Sequence, residues 1–444
     1  MNANASAARR FRPALGPARL SLALGAVLLG AACGGAAGGA SQGSAGPVEP
    51  TAGTSAGGAV EAGVTDYVAY VGGKAGAADR GLPPVALGWV NVEGTVNGAP
   101  EATAGAQAAV KYVNEELGGI GGHPLELRVC TIASAEEEGQ RCGQQLLNDS
   151  SVVGVAFGNV FVGDQSFNSV VAGRKPVIVG VATGPSVPTA EHTSILFGDL
   201  AHVWGPLGTF ARDVMHVKTV AIVHTDTATD RVTGEEARKA FEAAGLTAKS
   251  VGFEAQATDL LGPVTAAGGQ TADVVVALSA GHGCVGIAKA LTQLGSTKPV
   301  LSTPICLSPD VAEGLGGDLP QWTYAVAQTL PADASAPDVA AYTKASTEAG
   351  LSKADQGKVW AAVSWSEILA YAKVVNTVGA DRLTPDTVAQ ELAKFQGPIV
   401  MGAPTVACGR YSDAPAVCND QDRFYKYQGQ GRFVPVSGWL GPPT

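Results

Sequence analysis

The sequence predicts an α/β protein of two lobes, each a parallel sheet flanked by helices. Three observations carry that prediction. From Val85 onward, short β-branched runs alternate with amphipathic stretches, the pattern of strands joined by crossover helices. Glycines mark the switches between them, most densely at Gly118-Gly119-Ile120-Gly121-Gly122. The alternation runs once to Leu200 and begins again beyond it, and a late helical block returns to pack on the first lobe.

Taken in order, Val85–Val92 reads as a buried strand. A helix follows from about Pro100 to Leu117, with Ala102, Ala106, Ala109, Val113 and Leu117 on one face at spacings of four, three, four and four. Gly118-Gly119 stops it, and Leu125–Cys130 forms the next strand. Ser134-Ala-Glu-Glu137 has the form of a capping box opening a helix through about Leu147. Strands are predicted at Val152–Phe157 and Pro176–Val181, with a helix between them.

Beyond Leu200 the strands are Thr219–His224, Thr247–Phe253, Asp273–Ser279 and Pro299–Ser302. Helices are predicted at about His202–Met215, Arg231–Gly245, Thr258–Ala267 and Gly283–Leu294. After Trp322–Gln328 come long helices near Ala336–Ala349, Lys358–Val378 and Thr384–Lys394. Two short strands, near Arg423–Tyr427 and Arg432–Val436, close the chain.

The N-terminus carries Arg9, Arg10, Arg12 and Arg19, then the apolar run Leu20–Leu29, then small residues ending at Cys33. A basic segment, a short apolar core and small residues make an export signal over residues 1–32. The segment resembles the lipobox of bacterial lipoproteins, in which the Cys becomes the lipidated first residue. It departs from that pattern in carrying Gly30 where Leu is usual, with Leu29 one position further back. Cleavage by an ordinary signal peptidase near Ala32 is the other reading. Residues 34–83 are dominated by Gly, Ala, Ser and Pro and read as a flexible tether. Within it, Val64–Val71 is expected to add an edge strand to the folded body.

Losing four arginines and no acid takes the net charge from −10 to about −14. A chain so acidic, with no clustered Lys or Arg, is not a nucleic-acid binder, and attachment to a membrane would rest on the lipid. Seven cysteines are present; setting Cys33 aside leaves Cys130, Cys142, Cys284, Cys306, Cys408 and Cys418 in three local pairs. Nearest-neighbour pairing is the economical one of fifteen connectivities, worth about 3 kcal/mol per disulfide. Metal ligation would favour C-x-x-C spacing, which is absent.

Gly88-Trp-Val-Asn-Val-Glu-Gly94 followed by Ala109-Val-Lys-Tyr-Val-Asn-Glu-Glu-Leu-Gly-Gly-Ile-Gly-Gly-His-Pro-Leu-Glu-Leu127 is the sharpest signature in the chain. It resembles the opening of the leucine/isoleucine/valine-type periplasmic solute-binding proteins of ABC importers. The resemblance runs from 85 to 435 and is strong in the first 120 residues of that span. It implies a type I periplasmic-binding-protein fold with three hinge crossings. Lobe one is then 84–200 plus 329–398, and lobe two 201–328 plus 399–440. It also implies a ligand in the cleft between the lobes, at the carboxyl ends of the strands.

Strand ends in lobe one then place Glu93, Gly158, Asn159, Val160, Phe161, Ala182 and Thr183 at the cleft, where amides and a hydroxyl suit an anionic head group. In lobe two the chain departs from the family. Thr229 stands near an expected aromatic, Ser279-Ala-Gly-His282 replaces further aromatics, and Ile305 stands where an acid pairs with the ligand's ammonium. An ammonium buried without a counter-charge costs several kcal/mol. The expected ligand is therefore an organic acid, an amide or an atypical amino acid, with His282 as a hydrogen-bond donor. Asp226, Asp230 and Glu93 are the substitutes for the missing acid.

No G-x-S-x-G, H-E-x-x-H, P-loop or dinucleotide motif is present, and the six histidines lack ligand spacing. Trp360 and Trp365 read as packing residues of lobe one. The expectation is a binding protein, not an enzyme, with no cofactor and no metal. It would act as a monomer with a small solute, an importer permease and the membrane as partners. A receptor reporting to a membrane signalling protein is the alternative.

Overall fold

The computed structural model describes residues 63–95, 98–184, 186–199 and 202–443; the export signal and Cys33 lie outside the described residues. The body begins before the sheet. Helix α1 (Tyr67–Val71) is capped by Asp66, whose Oδ1 accepts from the Ala69 amide at 3.0 Å, and ends at Gly72 with φ 63°. Tyr67, Tyr70 and Val71 fall on one buried face, and Tyr67 meets Tyr112 edge-on at 6.1 Å. The expected edge strand is thus a helix: Asp66 caps it, and its i, i+3, i+4 face is buried against Tyr112 and Trp365. The tether also stops earlier than residue 83. The Gly76 amide donates to Glu116 O at 3.0 Å and the Ala78 amide to Asn114 O at 2.7 Å.

The first sheet is built from β1 (Val85–Val92), α2 (Pro100–Glu116), β2 (Leu125–Ile132), α3 (Glu136–Asn148), β3 (Val152–Phe157), α4 (Asp164–Val171), β4 (Val177–Ala182) and β5 (Thr193–Asp199). Its order is β2-β1-β3-β4-β5, and every pairing is parallel. Side chains alternate across it as a pleat requires: Leu87 and Trp89 enter one core, Ala86, Val90 and Val92 the other. Gly118, Gly119, Gly121 and Gly122 all have positive φ (75°, 67°, 57° and 97°), which explains why the turn between α2 and β2 is written in glycine. Ser134 does not cap α3. Glu138 does the work from inside the helix, its Oε2 accepting from the amides of Ala133, Ser134 and Ala135 at 2.9–3.0 Å. Strand β5 was not expected; its apolar run is only Ile195-Leu196-Phe197, and it is a strand because β4 offers it an edge.

The second unit of alternation gives α5 (Trp204–Thr209), which continues as one π turn at Phe210–Val214. Next come β6 (Thr219–Thr225), α6 (Ala228–Ala243), β7 (Thr247–Phe253), α7 (Leu261–Ala267), β8 (Val274–Leu278), α8 (His282–Gln293), β9 (Val300–Ser302), α9 (Pro309–Gly314) and β10 (Thr323–Val326). The late helical block is α10 (Pro337–Glu348), α11 (Lys353–Gln356), α12 (Val359–Val378) and α13 (Pro385–Leu392). A ladder of β11 (Gln396–Gly397) and β12 (Val406–Ala407) precedes β13 (Asp422–Tyr427) and β14 (Phe433–Leu440). The second sheet has the order β14-β13-β10-β9-β8-β6-β7, parallel except for the last two strands in sequence.

Helix α12 is buried on nearly all sides, packed against α1, α2, α13 and β4. Its contact with α2 is close enough that a Cβ at Gly105 would collide with the Ala361 carbonyl. Trp365 lies fully buried there, and Trp360 packs half-buried on the same core.

The chain passes between the sheets three times: after β5, after β10, and before β13. Side chains tie these crossings together. Asn419 Nδ2 donates to Phe197 O at 2.7 Å, and Arg423 pairs with Asp333 at 3.2 Å. Residues 399–418, assigned to the second lobe from the sequence, pack with the first: Val400, Met401, Val406 and Cys418 join its core, and Val417 bridges to Ile195. Three disulfides, Cys130–Cys142, Cys284–Cys306 and Cys408–Cys418, follow the nearest-neighbour pairing.

Candidate functional site

Read from its first strand, each sheet has the same parallel order: β2-β1-β3-β4-β5 in one and β7-β6-β8-β9-β10 in the other. The direction of winding reverses between β1 and β3, and again between β6 and β8. Open α/β sheets bind ligands outside the carboxyl ends of the strands at such a point. A buried polar link spans the reversal in both lobes.

In the first lobe the link is Asn91, fully buried in the otherwise apolar β1. Its Oδ1 accepts from the Asn159 amide at 2.9 Å, and its Nδ2 donates to Ala99 O at 2.8 Å and Glu93 Oε1 at 3.1 Å. Glu93, half-buried, also accepts from Thr103 Oγ1 at 2.5 Å. Gly158 is required here, since a Cβ would lie 2.6 Å from Asn91 Oδ1. The next residues diverge. Val160 is buried and its carbonyl accepts from Thr183 Oγ1 at 3.0 Å, while Phe161 is 36 % exposed. Ala182 is buried at the end of β4. The loop beyond it is held by Asp164, whose Oδ2 accepts from Ser186 Oγ at 2.6 Å.

In the second lobe the link is Thr225 Oγ1 to Ser279 Oγ, 2.8 Å apart and buried. Three of the expected residues find other partners or none described. His282 opens α8 but sets its Nε2 2.5 Å from Ala255 O, so that nitrogen serves its own lobe. Thr229 falls in the first turn of α6, and its side chain lies outside the described ones. The acids proposed to replace the missing counter-charge are also engaged: Asp226 pairs with Arg231 at 3.3 Å, and Asp230 accepts from the Thr227 hydroxyl at 2.8 Å. Ile305 sits in the 3₁₀ turn after β9 and is 48 % exposed. The Cys284–Cys306 disulfide joins that turn to the start of α8.

Sequence reasoning missed Asn91 and the Thr225–Ser279 link, naming Ser279 only as the first residue of a turn that lacks aromatics. The signal for Asn91 was present as Val-Asn-Val, an amide inside a buried strand. Among the described residues no group of three or more His, Cys, Asp or Glu is placed to hold a metal ion, and no helix is long and apolar enough to cross a membrane. A depression of about 960 Å³ bordered by Lys289, Lys298 and Trp322 lies at the amino ends of β9 and β10, opposite to the expected site.

Two α/β lobes of matching strand order, joined by three crossings, define the type I periplasmic-binding fold. The chain belongs to the periplasmic binding protein family, whose model matches residues 84–410. No curated protein matches the chain. Among solved structures it is similar to a leucine binding protein from Thermotoga maritima, at 16 % identity and TM-score 0.61 over 81 % of this chain and 99 % of that one. It is also similar to a solute binding protein of an ABC transporter from Rhodopseudomonas palustris in complex with p-hydroxybenzoic acid (16 %, 0.63, 81 % and 98 %). A fatty acid ABC transporter substrate-binding protein from Thermomonospora curvata is a third such structure (15 %, 0.61, 83 % and 95 %).

Proposed function

We propose that this chain is an extracytoplasmic solute-binding lipoprotein, held by Cys33, that captures a small organic acid or amide between its lobes and delivers it to an ABC importer. In this reading 84–200 with 329–418 act as one jaw and 201–328 with 419–440 as the other. The cleft residues are Glu93, Gly158–Phe161, Ala182 and Thr183 on one side, with Ile305 and the turns carrying Thr229 and His282 on the other. The protein binds its solute without changing it.

The observation that carries the ligand class is Ile305. An exposed apolar residue occupies the second-lobe turn where an α-amino acid would need an acid, Asp226 already pairs with Arg231, and Asp230 is engaged by the Thr227 hydroxyl. A carboxylate with an apolar body needs no counter-charge from the second lobe, whereas a zwitterion's ammonium would have only Glu93 across the cleft. Relatives of this fold named for leucine, p-hydroxybenzoic acid and fatty acid define the range worth screening.

The test is a thermal-shift screen of the mature chain against amino acids, amides, benzoates, short organic acids and fatty acids. A ligand at 100 times its Kd adds roughly 2.7 kcal/mol to stability. Stabilisation by a carboxylic acid or amide and none by leucine is expected; micromolar leucine binding, about 8 kcal/mol, overturns the ligand class. Lipidation is tested separately, by loss of membrane-fraction protein in Cys33→Ser.

A further inference from the structure

We infer that Asn91 is the positioning residue of the first-lobe half of the cleft, and that it makes Glu93 a selector for ligands carrying a hydrogen-bond donor. The inference rests on the cleft reading above and adds a residue and a selectivity to it.

One side chain holds three pieces of main chain. Asn91 anchors the exit of β3 through the Asn159 amide and the start of α2 through Ala99 O, both from its own strand. An amide suits this role because it presents an acceptor and two donors from one rigid plane; neither Asp nor Leu has both. Being fully buried, it has no water to fall back on, so each lost bond leaves a buried group unsatisfied.

The same side chain sets the direction of a small network. Trp89 Nε1 donates to Thr103 Oγ1 at 2.9 Å, and Asn91 Nδ2 approaches that oxygen at 3.2 Å. Both nitrogens are donors only, so neither can take the Thr103 proton. That proton is left to point at Glu93 Oε1, 2.5 Å away. Asn91 Nδ2 gives one proton to Ala99 O and shares the other between Thr103 Oγ1 and Glu93 Oε1. Glu93 is thereby fixed as an acceptor, with Oε2 outside these bonds. A ligand hydroxyl or N–H placed there gains a charge-assisted bond, and a ligand that brings only another acceptor is rejected.

The experiment compares Asn91→Asp with Asn91→Ala in the mature chain by amide hydrogen exchange without ligand. Asp keeps the acceptor, so the Asn159 amide should stay protected while the Ala99 amide at the start of α2 exchanges faster. Ala should lose both, with Asn159 exchanging at least tenfold faster. Equal effects of the two variants across the whole first lobe, or none in either, would overturn the positioning role. Binding of 4-hydroxybenzoate and benzoate is then measured by calorimetry. The wild type should favour the hydroxylated member at least tenfold, and Asn91→Asp should abolish that preference. A preference unchanged in both variants overturns the selectivity. Failure of the wild type to bind either acid, or anything in the screen, counts against the cleft reading, and the exchange comparison still decides Asn91.

Discussion

His202 Nδ1 lies 2.7 Å from Asp199 Oδ1 where the chain first crosses between the sheets. The His202 amide donates to the same oxygen at 3.0 Å, and its ring lies 4.3 Å from that of Tyr411. Tyr411 in turn donates to Asp420 Oδ2 at 2.9 Å, and Arg410 pairs with Asp420 beside the third crossing. Burial resists protonation of His202, but the hydrogen bond to Asp199 and the charges of Asp199, Asp413 and Asp420 outweigh it and raise its pKa.

A raised histidine pKa stabilises the fold below the unfolded value and loses that contribution as pH rises through the folded value. The unfolding midpoint should therefore fall as pH rises above the unfolded value of about 6.5. His202→Gln should flatten the profile there and lower stability mainly on the acid side. A set of chemical melts at half-unit pH steps checks this.

Glu367 gives a second, separable pH effect. It is wholly buried on α12, with Oε1 accepting from the Phe157 amide at 3.1 Å and Oε2 without a partner. Burial raises its pKa well above the ordinary carboxyl value, against the smaller opposing effect of the Phe157 bond. The unfolded chain ionises first, so stability is full below the ordinary value and declines as pH rises toward the folded one, by about 1.4 kcal/mol per unit. Glu367→Gln keeps an acceptor for Phe157 and should remove that slope above about pH 5. An unchanged slope in urea melts from pH 5 to 8 would contradict it.

Reduction of Cys284–Cys306 should act on the second lobe. The bond closes 22 residues and ties the start of α8 to the turn holding Ile305. Cys284→Ser with Cys306→Ser should cost about 3 kcal/mol in denaturant unfolding. It should also weaken ligand binding more than Cys130→Ser with Cys142→Ser does, because the latter pair ties β2, the edge strand of the first sheet, to α3.

Ile305→Asp places a carboxylate in an exposed turn, so the melting temperature should hardly move. An acid ligand should bind at least tenfold more weakly, about 1.4 kcal/mol, through like-charge repulsion in a closing site. Titration calorimetry with the best acid of the screen reads this directly.

Local patterns settled much of this protein in advance. Strand β7 and helix α8 lie where β-branched content and apolar spacing put them, and the Gly118–Gly122 turn is dictated by four positive-φ positions. The three disulfides were legible because loops of 12, 22 and 10 residues leave little choice of partner. What tertiary structure decided is whatever depends on a distant neighbour. Tyr67–Val71 is a helix because α2 and α12 offer its aromatic face a surface, β5 is a strand because β4 lends it an edge, and 399–418 belongs with the first sheet because Ile195 receives it. Asn91 is the sharpest case. Its identity could be read from the chain, but its use required the ends of β1 and β3 and the start of α2 to lie within one amide's reach, and hydrogen bonds of that range are set by packing rather than by adjacency.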